Sequence, residues 1–402
     1  MHPLSPSLGM STTLANGFGD TIADWVMGPL IRFGRIGAGV AVASGLLAAA
    51  ISLAAPARPA PGSFTGRVAP QQISGADSPL PVFEFHSGFW VNLHHFLYLQ
   101  ARLRERNSST VDTGRGAARP TDAPISLIDF PATEIQAWQA AVAFYGKDMA
   151  RRDLLINGDM ETINARLAEL EACMELAGKS SSRCTSGLQP DLVEALDSAA
   201  PVYRAHWWAE HDRGNRQWIA QIAPMVRQMG VELSQQLAEV YQRQWPAARL
   251  RVDVVWYGGP YGAYTSLNPP HVTIASHDPR NEGIYGFEVL FHESSHALSG
   301  AVTEAIAREF RQRDKPIPRD LWHALVFYTT GELLRRDLAL GTVAPASPAG
   351  TDPSGYQAYA ERFGLYSGGW EQFRALLDTF WKPYLENRIS FDSAIARIAA
   401  AQ

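Results

Sequence analysis

The sequence predicts an α+β fold that is mostly helical: a helical region, then a domain with a small sheet and one motif-bearing helix. Three observations carry this. Apolar residues recur at helical spacing through most of residues 81–246, two short β-like segments interrupt the pattern at 250–257 and 271–276, and helical patterning then resumes. The 402 residues are 46% hydrophobic and 19% charged, so a sizeable core can form and wholesale disorder is excluded. The 11 Trp, 13 Tyr and 17 Phe suit a packed helical protein with a substrate cleft. A net charge of -5, with no basic block interleaved with aromatics, argues against a nucleic-acid partner. Two cysteines are too few for a disulfide scaffold or a cysteine-rich zinc module.

The elements follow in order. If Met27 is the start, residues 1–26 are an upstream extension. Residues 27–57 read as a signal peptide or membrane anchor: Arg32 and Arg35 precede an uncharged run over 36–57, small residues and Pro56 close it, and Arg58 follows. About 20 apolar residues can span a bilayer, but an Ala- and Gly-rich run favours cleavage over anchoring. Either way the bulk of the chain is expected to be exported, periplasmic or secreted. Residues 58–80, rich in Pro, Ala, Gly and Ser, read as a flexible linker. Helical patterning begins near Phe83, with Phe89, Leu93, Phe96 and Leu97 in phase. Further helices are expected over 133–155, 160–176, 190–210, 215–229 and 231–245. The helical region ends there, at 246, and the second domain takes 247–402. Its strands, 250–257 and 271–276, precede helices over 285–300, 301–312 and 319–340, a loop over 343–355, and C-terminal helices over 356–384 and 390–401. Export makes a bridge between Cys173 and Cys184 feasible, because a loop-like Gly178-Lys179-Ser180-Ser181-Ser182 lies between them; two free thiols are the alternative.

His292-Glu293-Ser294-Ser295-His296 is an HExxH motif. No Pro or Gly interrupts 287–298, so a helix is the expected host. Positions i and i+4 share a helical face, so both imidazoles can turn to one metal, with Glu293 placed beside it to take a proton from water. Val289, Leu290 and Phe291 supply a buried back to that helix.

On these residues the chain resembles the zincin metallopeptidases, and within them the gluzincins. The resemblance covers about 90 residues, from Leu250 to about Leu340. It implies one zinc ion, a strand along the cleft that binds extended peptide by backbone pairing, and a carboxylate on the next long helix as third ligand. The strand expected to do this is 271–276, with Asn268, Pro269 and Pro270 shaping the cleft rim. Ser299 and Val302 stand where the metzincin extension needs Gly and His, which excludes that subgroup. Glu304 and Glu309 lie in a charged, solvated stretch. Glu332 is an acid in an apolar helix segment, preceded by Gly331, and a buried carboxylate needs a cation or donors. It is therefore the expected third ligand; a salt bridge to Arg335 or Arg336 is the alternative. Tyr328, one turn before Glu332, is a candidate donor to the developing oxyanion, with core packing as its alternative. His323, nine residues before Glu332 and nearly opposite on the helix, is a weaker candidate for that role.

A second constellation, His86, His94, His95, His206 and His211, lies among aromatics. Such histidines are more often hydrogen-bonded within an aromatic core than ligands. The resulting expectation is an exported zinc metallopeptidase acting on a peptide or protein substrate, with His292, His296 and Glu332 holding zinc and Glu293 activating water. The rival is an exported or membrane-anchored helical binding protein whose zinc site is structural or inactive.

Overall fold

A four-stranded sheet in the order β1-β2-β4-β3 separates the two hydrophobic cores of the molecule. In this computed structural model the described residues are 81–108, 125–154, 157–177, 184–247, 249–340 and 355–402. The expected extension, signal or anchor segment and linker lie outside them. Residues Pro79–Gln402 cluster as one compact unit.

The chain enters through β1 (Val82–His86), then runs through α1 (Phe89–Ser108), α2 (Ala132–Lys147), α3 (Gly158–Ala177), α4 (Pro190–His206) and α5 (Trp208–Val240). It returns as β2 (Arg249–Val255), β3 (Ala263–Leu267) and β4 (Pro270–Ala275). α6 (Gly283–Ser295), α7 (Gly300–Gln312) and α8 (Leu321–Ala339) follow. The C-terminal part is broken into α9 (Tyr359–Arg362), α10 (Glu371–Leu376), α11 (Lys382–Leu385) and α12 (Phe391–Ala401). The mostly helical α+β expectation holds at this level. Among the described residues, no helix is long and apolar enough to cross a membrane.

β1, β2 and β4 are parallel, and β3 pairs antiparallel with β4. Strand alternation assigns the two sheet faces. Leu250, Val252 and Val254 on β2, with Val272 and Ile274 on β4, join the core formed with α5, α6, α7 and α8. The residues between them are polar: Arg251 and Asp253 on β2, His271 and Thr273 on β4. The other core, containing Val255 and Tyr264, is built with α1 to α4. Asp253 is buried with its carboxylate gripped by Arg251, which answers the cost of that burial.

Several elements differ from expectation. Residues 82–86 form a strand, not the start of a helix, because Phe83 and Phe85 face the core formed around Phe291 and Trp218 while β2 satisfies the backbone. The two helices expected over 215–229 and 231–245 are one, α5; Gly230 does not end it but packs against Phe291 and Val82. β3 was not visible in the pattern. Cys173 and Cys184 are joined by a disulfide across the end of α3.

α6 can approach the 279–281 turn only because residue 286 is glycine. A Cβ there would lie 2.1 Å from the Asn281 carbonyl oxygen, an oxygen that also accepts from the Trp218 indole at 2.7 Å. This close contact sets the depth of the motif helix behind the sheet.

Candidate metal centre

α6 ends within the motif, and its C-cap His296 keeps helical dihedrals, so His292 and His296 share one face as i, i+4 spacing requires. The third group to reach them is His323, from the first turn of α8. His292 Nε2 lies 3.2 Å from His323 Nε2 and 3.3 Å from His296 Nε2. All three ligating atoms fall within 4.8 Å of one another, and this is the one such His, Cys, Asp and Glu group among the described residues.

Hydrogen bonding does not account for this convergence. A neutral imidazole nitrogen either donates one proton or offers one lone pair, so His292 Nε2 cannot be satisfied by both neighbours. A shared cation can satisfy all three. Nitrogens about 2.0–2.1 Å from a tetrahedral zinc would stand about 3.3–3.4 Å apart, close to the spacing found. Three imidazoles with one side open are a donor set that could hold a zinc ion. Burial, together with the neighbouring rings, holds His292 and His323 well below the usual imidazole range, and burial alone brings His296 down to about 4. All three are therefore neutral near pH 7, the form that ligates metal.

Aromatic rings fix the imidazoles. His292 stacks on Phe327 at 3.4 Å between centroids, and His323 stacks on Trp322 at 5.1 Å. His292 is buried, whereas His296 and His323 are partly exposed, so the group opens to solvent on their side.

Glu293 is buried beside the group, with Oε2 3.7 Å from His296 Nε2. Thr265 on β3 holds it: its hydroxyl oxygen lies 2.9 Å from Glu293 Oε2 and 2.6 Å from the Glu293 carbonyl oxygen. Burial pushes the carboxyl up to about 7, and the Thr265 hydrogen bond opposes that shift. A carboxylate so placed is a much stronger base than a solvated one.

Two expected residues lie elsewhere. Glu332, expected as third ligand, is paired with Arg335 and with Lys382 at 3.3 Å. Tyr328, expected as oxyanion donor, donates to Asp378 at 2.6 Å and lies under the Arg374 guanidinium. Helix geometry accounts for both placements. At 100° per residue, Tyr328 is about 140° and Glu332 about 180° around α8 from His323. The face bearing both packs against the C-terminal segment, and the opposite face meets the motif. His323 thus stands beside His292 and His296, where Glu332 was expected. Residues 271–276 are likewise not the cleft edge. β4 is paired on both sides, and β3 is the outer strand next to Glu293.

The upstream histidines do not converge. His94 Nδ1 meets Tyr145 Oη at 2.8 Å, and His95 joins the Val91 carbonyl to Tyr264 Oη, both at 2.7 Å. His211 meets Tyr203 Oη at 2.8 Å, His206 pairs with Glu134 at 2.7 Å, and His86 lies between Glu84 and Glu175. Sequence reading missed Thr265 and Glu288. Thr265 is one threonine in a strand that the pattern did not disclose. Glu288 had a signal, an acid one turn before His292 in an otherwise apolar helix. It is fully buried and accepts from Tyr356 Oη at 2.5 Å and from the Tyr359 amide at 2.7 Å.

No protein-family model, curated protein or solved structure matches the chain.

Proposed function

We propose that this protein is a metal-dependent hydrolase, most simply a zinc peptidase, with His292, His296 and His323 as metal ligands and Glu293 as general base. The observation that carries this reading is the convergence of three imidazole nitrogens at 3.2 and 3.3 Å beside a buried carboxylate. When bound, zinc would supply a Lewis acid that polarises the scissile carbonyl and acidifies water. Everything else is done by the chain. Two ligands one helical turn apart on α6 and a third from α8 make a site that forms only when those helices dock. Glu293, raised to about 7, takes a proton from the attacking water and returns it to the leaving amine. Thr265 fixes that carboxylate through its hydroxyl, and the partly exposed His296 and His323 leave a path for substrate.

The apolar run over 36–57 and the Cys173–Cys184 disulfide support an exported location, since disulfides persist in oxidising compartments. The test is metal analysis combined with one substitution. Purified protein should carry one zinc per chain, and Glu293→Gln should retain it while losing hydrolysis of a casein or peptide-library substrate. Metal-free protein, or a Glu293→Gln variant as active as wild type, contradicts the reading.

A further inference from the structure

Two indoles frame the open side of the histidine group. Trp322 stacks on His323 at 5.1 Å and meets His296 edge-on at 5.4 Å. Trp370, just before α10, meets His323 at 5.3 Å and Phe327 at 5.8 Å. Behind them Phe327 and Tyr359 are buried, but both indoles remain partly exposed. An indole packed on one side and partly exposed still has apolar area to bury.

This wall is preformed. The segment carrying Trp370 is tied to α6 through Glu288, whose carboxylate holds Tyr356 and the Tyr359 amide. It is tied to α8 at Gly331, where a Cβ would come within 2.5 Å of Ala358 Cβ and 3.0 Å of Glu288 Oε1. Both ligand-bearing helices therefore share one anchor with the aromatic wall.

The site offers little to a charged group. Among the described residues, Glu293 is the one acid in ion-pair distance of any of the three rings. Arg335 and Arg374, on α8 and α10, are taken up by Glu332, Glu361 and Asp378. A charged side chain entering against the two indoles would lose hydration to apolar rings.

We propose that Trp322 and Trp370 form a specificity jaw that selects a large apolar or aromatic side chain over a charged one beside the bond attacked. This rests on the metallohydrolase reading. The test separates the two by titrating zinc-loaded protein with N-acetylated amino-acid hydroxamates of Phe, Ala, Asp and Lys, read by indole fluorescence. The Phe probe should bind about tenfold tighter than the Ala probe, and tighter still than the Asp and Lys probes. Trp370→Ala and Trp322→Ala should each reduce the Phe-to-Ala ratio to about threefold or less, while Trp370→Phe preserves most of it. Reading the ratio, with zinc content and circular dichroism alongside, prevents general damage from passing as lost specificity. Equal affinity for all four probes, or a ratio unchanged in both alanine variants, overturns the jaw and leaves the metal site standing. Failure to bind zinc overturns both.

Discussion

The chain holds two groups of histidines that look alike in sequence and differ in structure. His94, His95 and His211 are buried among aromatics, and each has its own protein partner. His292, His296 and His323 are also set among aromatics, yet their nearest polar neighbours are one another. Both groups are desolvated, and His95 and His296 are both brought down to about 4. Burial and lowered basicity therefore do not distinguish a core histidine from a candidate ligand. The hydrogen-bond partners do: a ring bonded to a tyrosine hydroxyl marks a core histidine, and several imidazole nitrogens competing for the same space mark a cation site.

Substitutions can break that contrast. The largest effect should come from His323→Ala, which removes one of three donors and should lower zinc affinity by about a hundredfold or more. Equilibrium dialysis against a zinc indicator measures it. Glu293→Gln should keep zinc and lower turnover by about 10²–10⁴-fold. In the upstream group, His95→Phe should leave zinc stoichiometry untouched and cost about 1–3 kcal/mol in urea unfolding, because the buried Tyr264 hydroxyl loses its acceptor. Loss of zinc in that variant would erase the distinction between the groups.

Acid sharpens the contrast further. The folded chain holds His95 near 4 and His211 near 3, against about 6.5 when unfolded. Between those values the unfolded state binds more protons than the native state. Stability is thus complete above about pH 6.5 and falls as the pH drops toward 4, by about 1.4 kcal/mol per pH unit for each ring. His211→Phe should shallow that slope by about one ring's worth in metal-free protein, measured by unfolding at stepped pH. An unchanged slope would mean that His211 already carries a proton in the fold. The smallest effect is expected from Glu332→Gln. Its partners Arg335 and Lys382 are partly exposed, so the change should cost about 1 kcal/mol or less and leave zinc binding intact.

The motif was legible because its information is local. Two histidines one turn apart, a glutamate beside the first and an apolar run before them specify a helix and a face without reference to the rest of the chain. The third donor was not local. Periodicity correctly placed Tyr328 and Glu332 on one side of α8 and His323 on the other. Which side meets the motif depends on residues some 40–60 positions downstream: Asp378 and Lys382 claim one face, and Trp370 joins the other. The strands show the same limit. β2 reads from its alternation of Leu250, Val252 and Val254 with Arg251 and Asp253. β1 is five residues long and is defined by pairing with β2, which lies more than 160 positions later.

The most direct test is X-ray absorption at the zinc edge of the full-length protein, isolated without chelators. One zinc per chain, with three imidazole nitrogens at about 2.0 Å and one oxygen donor in the fourth place, is the expected spectrum. His323→Ala should remove one imidazole shell from any zinc that remains, and Glu332→Gln should change nothing. A protein without metal, or a site that loses a ligand on Glu332→Gln and keeps its ligands on His323→Ala, would contradict the three-histidine centre.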